Sequence, residues 1–297
     1  MSIISHGHKT SSGRAGADPE VARLRGALAE FELGRFLLEN LGLNGRWTSY
    51  VLLHPDRGAH TGLSCDGTPL TKLESWLLNR CSILLATQER FRIFRVLTQP
   101  LLRTGMQLAS LPCGWMDDLL TLDYSKTPGV TLTGIDLDPE TLRDAEANYR
   151  RLRPPVQAAF EQRDAWQLEA SGRWDLLTSN GLNIYVENDD RCTEFYRNVA
   201  RALKPAGIFV CSFITPPEQW RPKVAGDLEH QRFLFTQAVP VKWSCVRDEA
   251  KTREQLSAAG LEVLSVTYDS QRMFPAVAAP FWPVASAREV PVPSSNL

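Results

Sequence analysis

The stretch Leu108–Leu120, LASLPCGWMDDLL, decides how the chain reads. Its first residues are apolar and run into a turn signal, as in a buried strand; its last residues begin a helix. A strand, a tight turn and a helix in that order are where a nucleotide-binding loop sits in an α/β protein, with backbone facing ligand at the carboxyl edge of a sheet. Such loops are rich in glycine, and this one has only Gly114. The loop alone is a weak signal, so its surroundings must decide.

Downstream, short apolar runs alternate with amphipathic segments. MQLASL, VTLTGIDL, VQAAFEQRDA, WDLLTSN and IFVCSFI read as strands, with DDLLTLDY, PETLRDAEANYRRL and CTEFYRNVARALKPAG as the helices between them. That rhythm indicates parallel βαβ units in a sheet covered on both faces. EAKTREQLSAAG reads as a helix stopped by glycine. LEVLSVTY and MFPAVAAP, joined by DSQR, then predict an antiparallel hairpin. The expected architecture is a doubly wound α/β domain over residues 105–285, with a mostly parallel seven-stranded sheet and a C-terminal antiparallel hairpin.

Upstream the composition is helical. Residues 1–17 are rich in Ser, Gly and His and are expected to be a disordered tail, and residues 286–297 a flexible one. Asp18-Pro19-Glu20 signals a helix start, followed by one helix through EVARLRGALAEFELGRFLLENLG to Gly42. A loop with a strand-like run at Tyr50–Leu53 follows, then helices in LTKLESWLLNRCSILLA and TQERFRIFRVLTQPLL. Residues 18–104 are therefore expected to form a helical cap or lid over the rim of the sheet, closing over a substrate.

Bulk properties exclude several classes. The formal net charge of −1 provides no global field toward nucleic acid or anionic membrane. No apolar run approaches the roughly 18 residues of a membrane span, and the N-terminus lacks the apolar core of a signal peptide. The six cysteines are scattered without a CxxC pair, which reads as reduced thiols in a cytoplasmic protein and not as a zinc site. No metal site is expected.

The strand ends carry the chemistry. Asp136 ends the second strand at the interval from Gly114 expected for an acid that accepts two hydrogen bonds from a ribose diol. Asp138, before Pro139 and Glu140, is the better helix cap, which frees Asp136. In EQRDAW, Asp164 is placed to accept from an adenine amine while the backbone of Ala165 addresses the ring. Asn180 and Gly181 end the fourth strand at the same rim.

This constellation resembles the class I S-adenosylmethionine-dependent methyltransferase family over about residues 86–280. The matching pieces are LASLPCGWM, GIDLDPETLRDA, RDA, SNGLNIY and RNVARALKPAGIFVCSF, with the closing helix and hairpin. The resemblance implies S-adenosylmethionine as cofactor, held by Ser110, Pro112, Cys113, Gly114, Asp136, Leu137, Asp164, Ala165, Asn180, Gly181 and Leu182, with Arg90 on the methionine carboxylate. The glycine loop departs from the family's acid followed by Gly-x-Gly-x-Gly. Ser110 stands at the acid position, Pro112 at the first glycine and Met116 at the last. The missing acid removes a usual link to the methionine amino group; Asp117 or Asp118 is the candidate substitute, although carboxylates in a first helical turn more often just complement its dipole.

The implied function is methyl transfer to a small-molecule acceptor in specialised metabolism. The amine-methylating signature, Asn or Asp followed by two prolines and an aromatic, is absent at the fourth strand, which disfavours nucleic-acid bases and protein glutamine. Tyr185, His54 and Tyr50 are the candidates for acceptor contact or general base. Trp47 and the aromatics of about residues 216–247 (Trp220, Phe233, Phe235, Trp243) suit a substrate wall or a packed insertion. A cofactor-dependent reaction other than methyl transfer, and a non-catalytic interaction module, are the competing functions.

Overall fold

The computed structural model describes residues 18–242 and 245–282. The expected tails and Trp243 lie outside the described residues. One sheet has the order β3-β2-β1-β4-β5-β7-β6. Its strands are β1 (Gln107–Ser110), β2 (Thr131–Asp136), β3 (Gln157–Gln162), β4 (Trp174–Ser179), β5 (Leu203–Ser212), β6 (Ser265–Thr267) and β7 (Ala276–Pro280). The first five run parallel, and β7 enters antiparallel between β5 and β6. Strand order reverses between β1 and β4, so a crevice opens above their carboxyl ends.

The strands are buried on alternating sides. Ala109, Leu177 and Phe209 join one cluster with Trp174, Phe195 and Tyr196, while Leu108, Leu132 and Leu176 face another with Leu119 and Leu142. This period-two division explains the near-continuous apolar runs. Lys204–Gly207, expected to end a helix, instead belong to β5, where the register to β4 shifts between Trp174 and Leu176.

Before the sheet come α1 (Pro19–Leu28), α2 (Glu32–Asn40), α3 (Gly45–Leu53), α4 (Gly58–Thr61), α5 (Lys72–Asn79) and α6 (Ser82–Thr98). Asp18 caps α1 as expected, accepting from the Glu20 amide. The single helix expected to Gly42 is two. The chain is extended at Phe31, and α2 crosses the end of α1 at Gly34, where a Cβ would come 2.0 Å from the Leu28 carbonyl oxygen. The expected strand-like run Tyr50–Leu53 is the last turn of α3, which starts where the Asn44 side chain accepts from the Trp47 amide. The division between α5 and α6 falls at Arg80–Cys81, not near Ala86.

Within the sheet domain lie α7 (Asp117–Leu120), α8 (Pro139–Leu152), α9 (Asp189–Ala202), α10 (Ala225–Phe233) and α11 (Glu249–Ser257). The insertion after β5 packs against the N-terminal helices. Leu234, Phe235 and Ala238 share a buried cluster with Leu24, Leu28, Leu33 and Leu77, with Trp220 and Phe233 packed on it. Arg80 pairs with Asp227 and the Trp76 indole donates to the same carboxylate. Phe235 is buried in that cluster, Trp220 and Phe233 pack on it half-buried, and none of the three lines the crevice above β1 and β4, which favours the packed-insertion alternative.

Candidate active site

The loop from Leu111 to Met116 stays stitched to the sheet on both sides. The Leu111 amide donates to Thr178 at 2.9 Å and the Cys113 amide to Ile135 at 2.8 Å. Gly114 has φ +51° and donates its amide to Asp136 Oδ2 at 3.2 Å. Met116 has φ +59°, a left-handed conformation that favours glycine, at the position where the family pattern ends in glycine. Its side chain is buried among Leu119, Leu120 and Leu142, which offsets that backbone cost.

Above this loop lies a cavity of about 260 Å³. Its floor is Ser110 and Pro112–Asp118, with Asp136 on one side and Asn180, Gly181, Leu182 and Tyr185 on the other. Its roof is α3 and the turn before it, through Asn44, Gly45, Thr48, Ser49 and Leu52. Helix and loop meet backbone to backbone: a Cβ on Gly45 would come 3.1 Å from Gly114 Cα.

Three carboxylates border the cavity, and burial raises the pKa of each. Asp136 accepts from the amides of Gly114 and Asp138, while Asp138 caps α8 as expected. Asp117 accepts from Asn148 at 3.0 Å and from Ser49 of the roof. Asp118 accepts from Thr178 Oγ1 at 2.6 Å and from Ser110 Oγ at 3.3 Å, and its pKa is pushed up to about 6. It is thus more than a surface complement to a helix dipole. It lies buried across the tips of β1 and β4.

Other expected site residues are placed elsewhere. Tyr50 donates to Glu74 at 2.9 Å, and His54 is buried with Nε2 3.0 Å from Asn79 Oδ1; neither lines the cavity. Burial also lowers the His54 pKa. The cause is helical phase: α3 turns residues 45, 48, 49 and 52 to the cavity and carries Trp47 and Tyr50 on other sides, while His54 lies in the turn just after it. Of the three candidates for acceptor contact, Tyr185 alone reaches it. Arg90, read as equally suited to a solvated helix face, is buried instead. Its guanidinium lies 4.5 Å over the Phe274 ring and 3.3 Å from the Cβ position of Gly181, behind the cavity wall. Asp164 accepts from the Trp166 amide, Ala165 is packed in the core and Leu137 is exposed; none lines the cavity. Burial pushes the Cys113 thiol up, as suits a packed residue and not a nucleophile.

The residues missed from sequence are those of the roof, whose signal was Asn44, a cap three residues before Trp47. In sequence Asp118 stands with Asp117 as a substitute for the absent acid but reads chiefly as a dipole complement.

A sheet of this order, with a reversed last strand and a cavity above β1, β2 and β4, defines the α/β methyltransferase class. A methyltransferase-domain model matches residues 111–207. A solved structure described as a possible exported protein from Bordetella parapertussis is 41% identical, covers 88% of this chain and 87% of its own, and superposes with a TM-score of 0.81. Magnesium protoporphyrin IX methyltransferase from Synechocystis PCC 6803, solved with S-adenosylhomocysteine, is 13% identical and shares the fold, with a TM-score of 0.51 over 79% of this chain and 97% of its own. No curated protein matches the chain. The chain belongs to the class I S-adenosylmethionine-dependent methyltransferase family, and S-adenosylmethionine is its cofactor. The residues present fit that cofactor: Gly114 leaves a backbone cradle, Asp136 ends β2, and the buried Asn180 Oδ1 has no hydrogen-bond partner among the described residues.

Among the described residues no helix is long and apolar enough to cross a membrane. Nor does any group of His, Cys, Asp and Glu there form a metal-binding cluster.

Proposed function

We propose that this methyltransferase acts on a small-molecule acceptor, of the kind used in specialised metabolism, within the cavity between α3 and the β1 loop. The observation that carries this reading is the roof. Asn44, Gly45, Thr48, Ser49 and Leu52 lie over the cofactor loop, so the site is a recess partly roofed by α3, which suits a small acceptor better than a flat macromolecular surface. The net charge of −1 likewise offers nothing to a phosphate backbone.

In this reading Asp136 holds the ribose, and Ser110, Pro112, Cys113 and Gly114 form the cradle. Asn180, Gly181 and Leu182 border the reacting end. Leu137, Asp164 and Ala165 serve the adenine side, in a conformation that opens toward them, and Arg90 faces the methionine carboxylate from behind Gly181. The cofactor supplies a methyl group on sulfonium, already activated for transfer. The protein's part is to exclude water and hold the acceptor in line, with Tyr185 as the hydroxyl at the cavity edge. A cytoplasmic location rests on free thiols at all six cysteines.

The test incubates the protein with labelled S-adenosylmethionine and fractionated extracts of small molecules, proteins and RNA. Label in a small-molecule fraction, with S-adenosylhomocysteine released in step, is expected. Label confined to protein or RNA would overturn the acceptor class.

A further inference from the structure

The geometry points to Asp118 as the counter-ion for the ammonium group at the aminoacyl end of the cofactor, delivered from the helix after the loop because the strand tip carries Ser110 in place of an acid. The inference rests on the cofactor reading above.

The three carboxylates at the cavity have different commitments. Asp136 is met by two backbone amides. Asp117 is held by Asn148 and Ser49, with Arg57 and Arg151 adding favourable charge, so it ties roof to floor. Asp118 is buried, and its side-chain donors are the neutral hydroxyls of Thr178 and Ser110. Among the described residues no salt bridge reaches it, and Asp117 beside it repels its charge.

Other buried acids divide: Glu74 takes the Tyr50 hydroxyl and Asp269 the amides of Gln271 and Phe274, both away from the cavity, while further buried charges are paired. Asp227 takes Arg80, and Arg247 takes Asp189 together with two carbonyls. A buried carboxylate without a cation is unfavourable, and one that borders a ligand cavity is complemented by a ligand cation. S-adenosylmethionine and its demethylated product both carry an ammonium on the aminoacyl end. Ser110 and Thr178 are then positioning residues, each at a strand tip and each aiming the carboxylate.

The groups facing Asp118 fix its pH behaviour. Ser110 comes from β1, Thr178 from β4, Asp117 from α7, and Tyr124 from the segment after α7. Asp136 faces the cavity from β2. Burial and the Asp117 charge oppose ionisation of Asp118, outweighing the Thr178 and Ser110 hydroxyls that favour it. An ammonium favours it. Binding of the aminoacyl end therefore expels a proton from Asp118 at mildly acidic pH, and affinity for that end declines as Asp118 becomes protonated.

Calorimetry with the full chain tests this using two probes. S-adenosylhomocysteine has the aminoacyl end; 5′-methylthioadenosine keeps the nucleoside and sulfur and lacks it. Asp118→Asn is expected to weaken S-adenosylhomocysteine roughly 10- to 100-fold and to leave methylthioadenosine unchanged. In the wild type, S-adenosylhomocysteine affinity should fall below about pH 6 relative to methylthioadenosine, as the raised Asp118 pKa requires. Thr178→Val keeps the carboxylate and removes a donor, so it should move that fall to higher pH. Equal losses for both probes in Asp118→Asn, or parallel pH profiles in the wild type, would overturn the assignment. If Asp118→Asn does not fold, the wild-type comparison decides alone. Wild-type protein that binds neither probe would refute the cofactor reading itself, an outcome distinct from selective failure of Asp118.

Discussion

Burial moves the Asp118 carboxyl from 3.8 to about 6, and the direction sets a stability prediction. A raised acid pKa means that the folded state holds the proton more tightly than the unfolded chain. Stability is therefore lost as pH rises from about 4 to about 6, and the deficit, about 3 kcal/mol, persists above that window. Asp118→Asn should stabilise the ligand-free protein at about pH 7.5 by roughly 1–3 kcal/mol and give no such gain near pH 4. Urea unfolding at the two pH values measures it; equal effects at both would mean that the charge is not the cause. Asp136→Ala is expected to cost about 2–4 kcal/mol of S-adenosylhomocysteine binding, roughly 30- to 1000-fold by calorimetry. Unchanged affinity would remove Asp136 from the ribose. Asp136, Gly114 and Asn180 were legible in sequence because a strand tip in a parallel sheet has one place to point. Asp118 was legible only together with Asp117, and the choice between them was not, because it depends on the loop folding Asp118 back between Ser110 and Thr178, eight residues upstream and 60 downstream.

The alternating strands and helices of the sheet were readable because its central strands β1, β2 and β4 bury both faces, so their hydrophobic pattern is unmistakable. The cap was read less well. Its helix break depends on Gly34 passing the end of α1, and the direction faced by α3 depends on where Asn44 starts the helix. A one-residue error in that start rotates each side chain by about 100°, which suffices to exchange Trp47, Tyr50 and His54 for Gly45, Thr48 and Ser49. Two glycines make the point testable. Gly26 lies inside α1 with nothing within 4 Å of its Cβ position, so Gly26→Ala should stabilise by about 0.5–1 kcal/mol. Gly45→Val meets the Gly114 backbone at once and should destabilise by about 1–3 kcal/mol, with cofactor affinity falling in the same variant. Thermal melts and calorimetry of the pair separate the two cases; a neutral Gly45→Val would show that α3 does not seat on the loop.

The sequence suggested a cap separable from the sheet, such that a chain starting near residue 86 keeps its core and loses only turnover. The buried cluster argues otherwise, since Leu24, Leu28 and Leu77 pack with Phe235, Val239, Met273 and Phe274 from far along the chain. Removing the N-terminal helices would expose all of these. That truncation is expected to lose cooperative unfolding altogether; a soluble fragment with a sharp melt would contradict it. The same mooring bears on traffic through the site. α3 is held from above by this cluster and from below by Ser49 on Asp117, so any movement of α3 that widens the site for spent cofactor has to break both attachments. Discharge, not chemistry, is then expected to pace the cycle. Progress curves should bend early unless S-adenosylhomocysteine is removed as it forms, and added solvent viscosity should slow steady turnover more than a single round. An enzyme with such a slow exit responds to the ratio of fresh to spent cofactor around it, and not to the fresh cofactor alone.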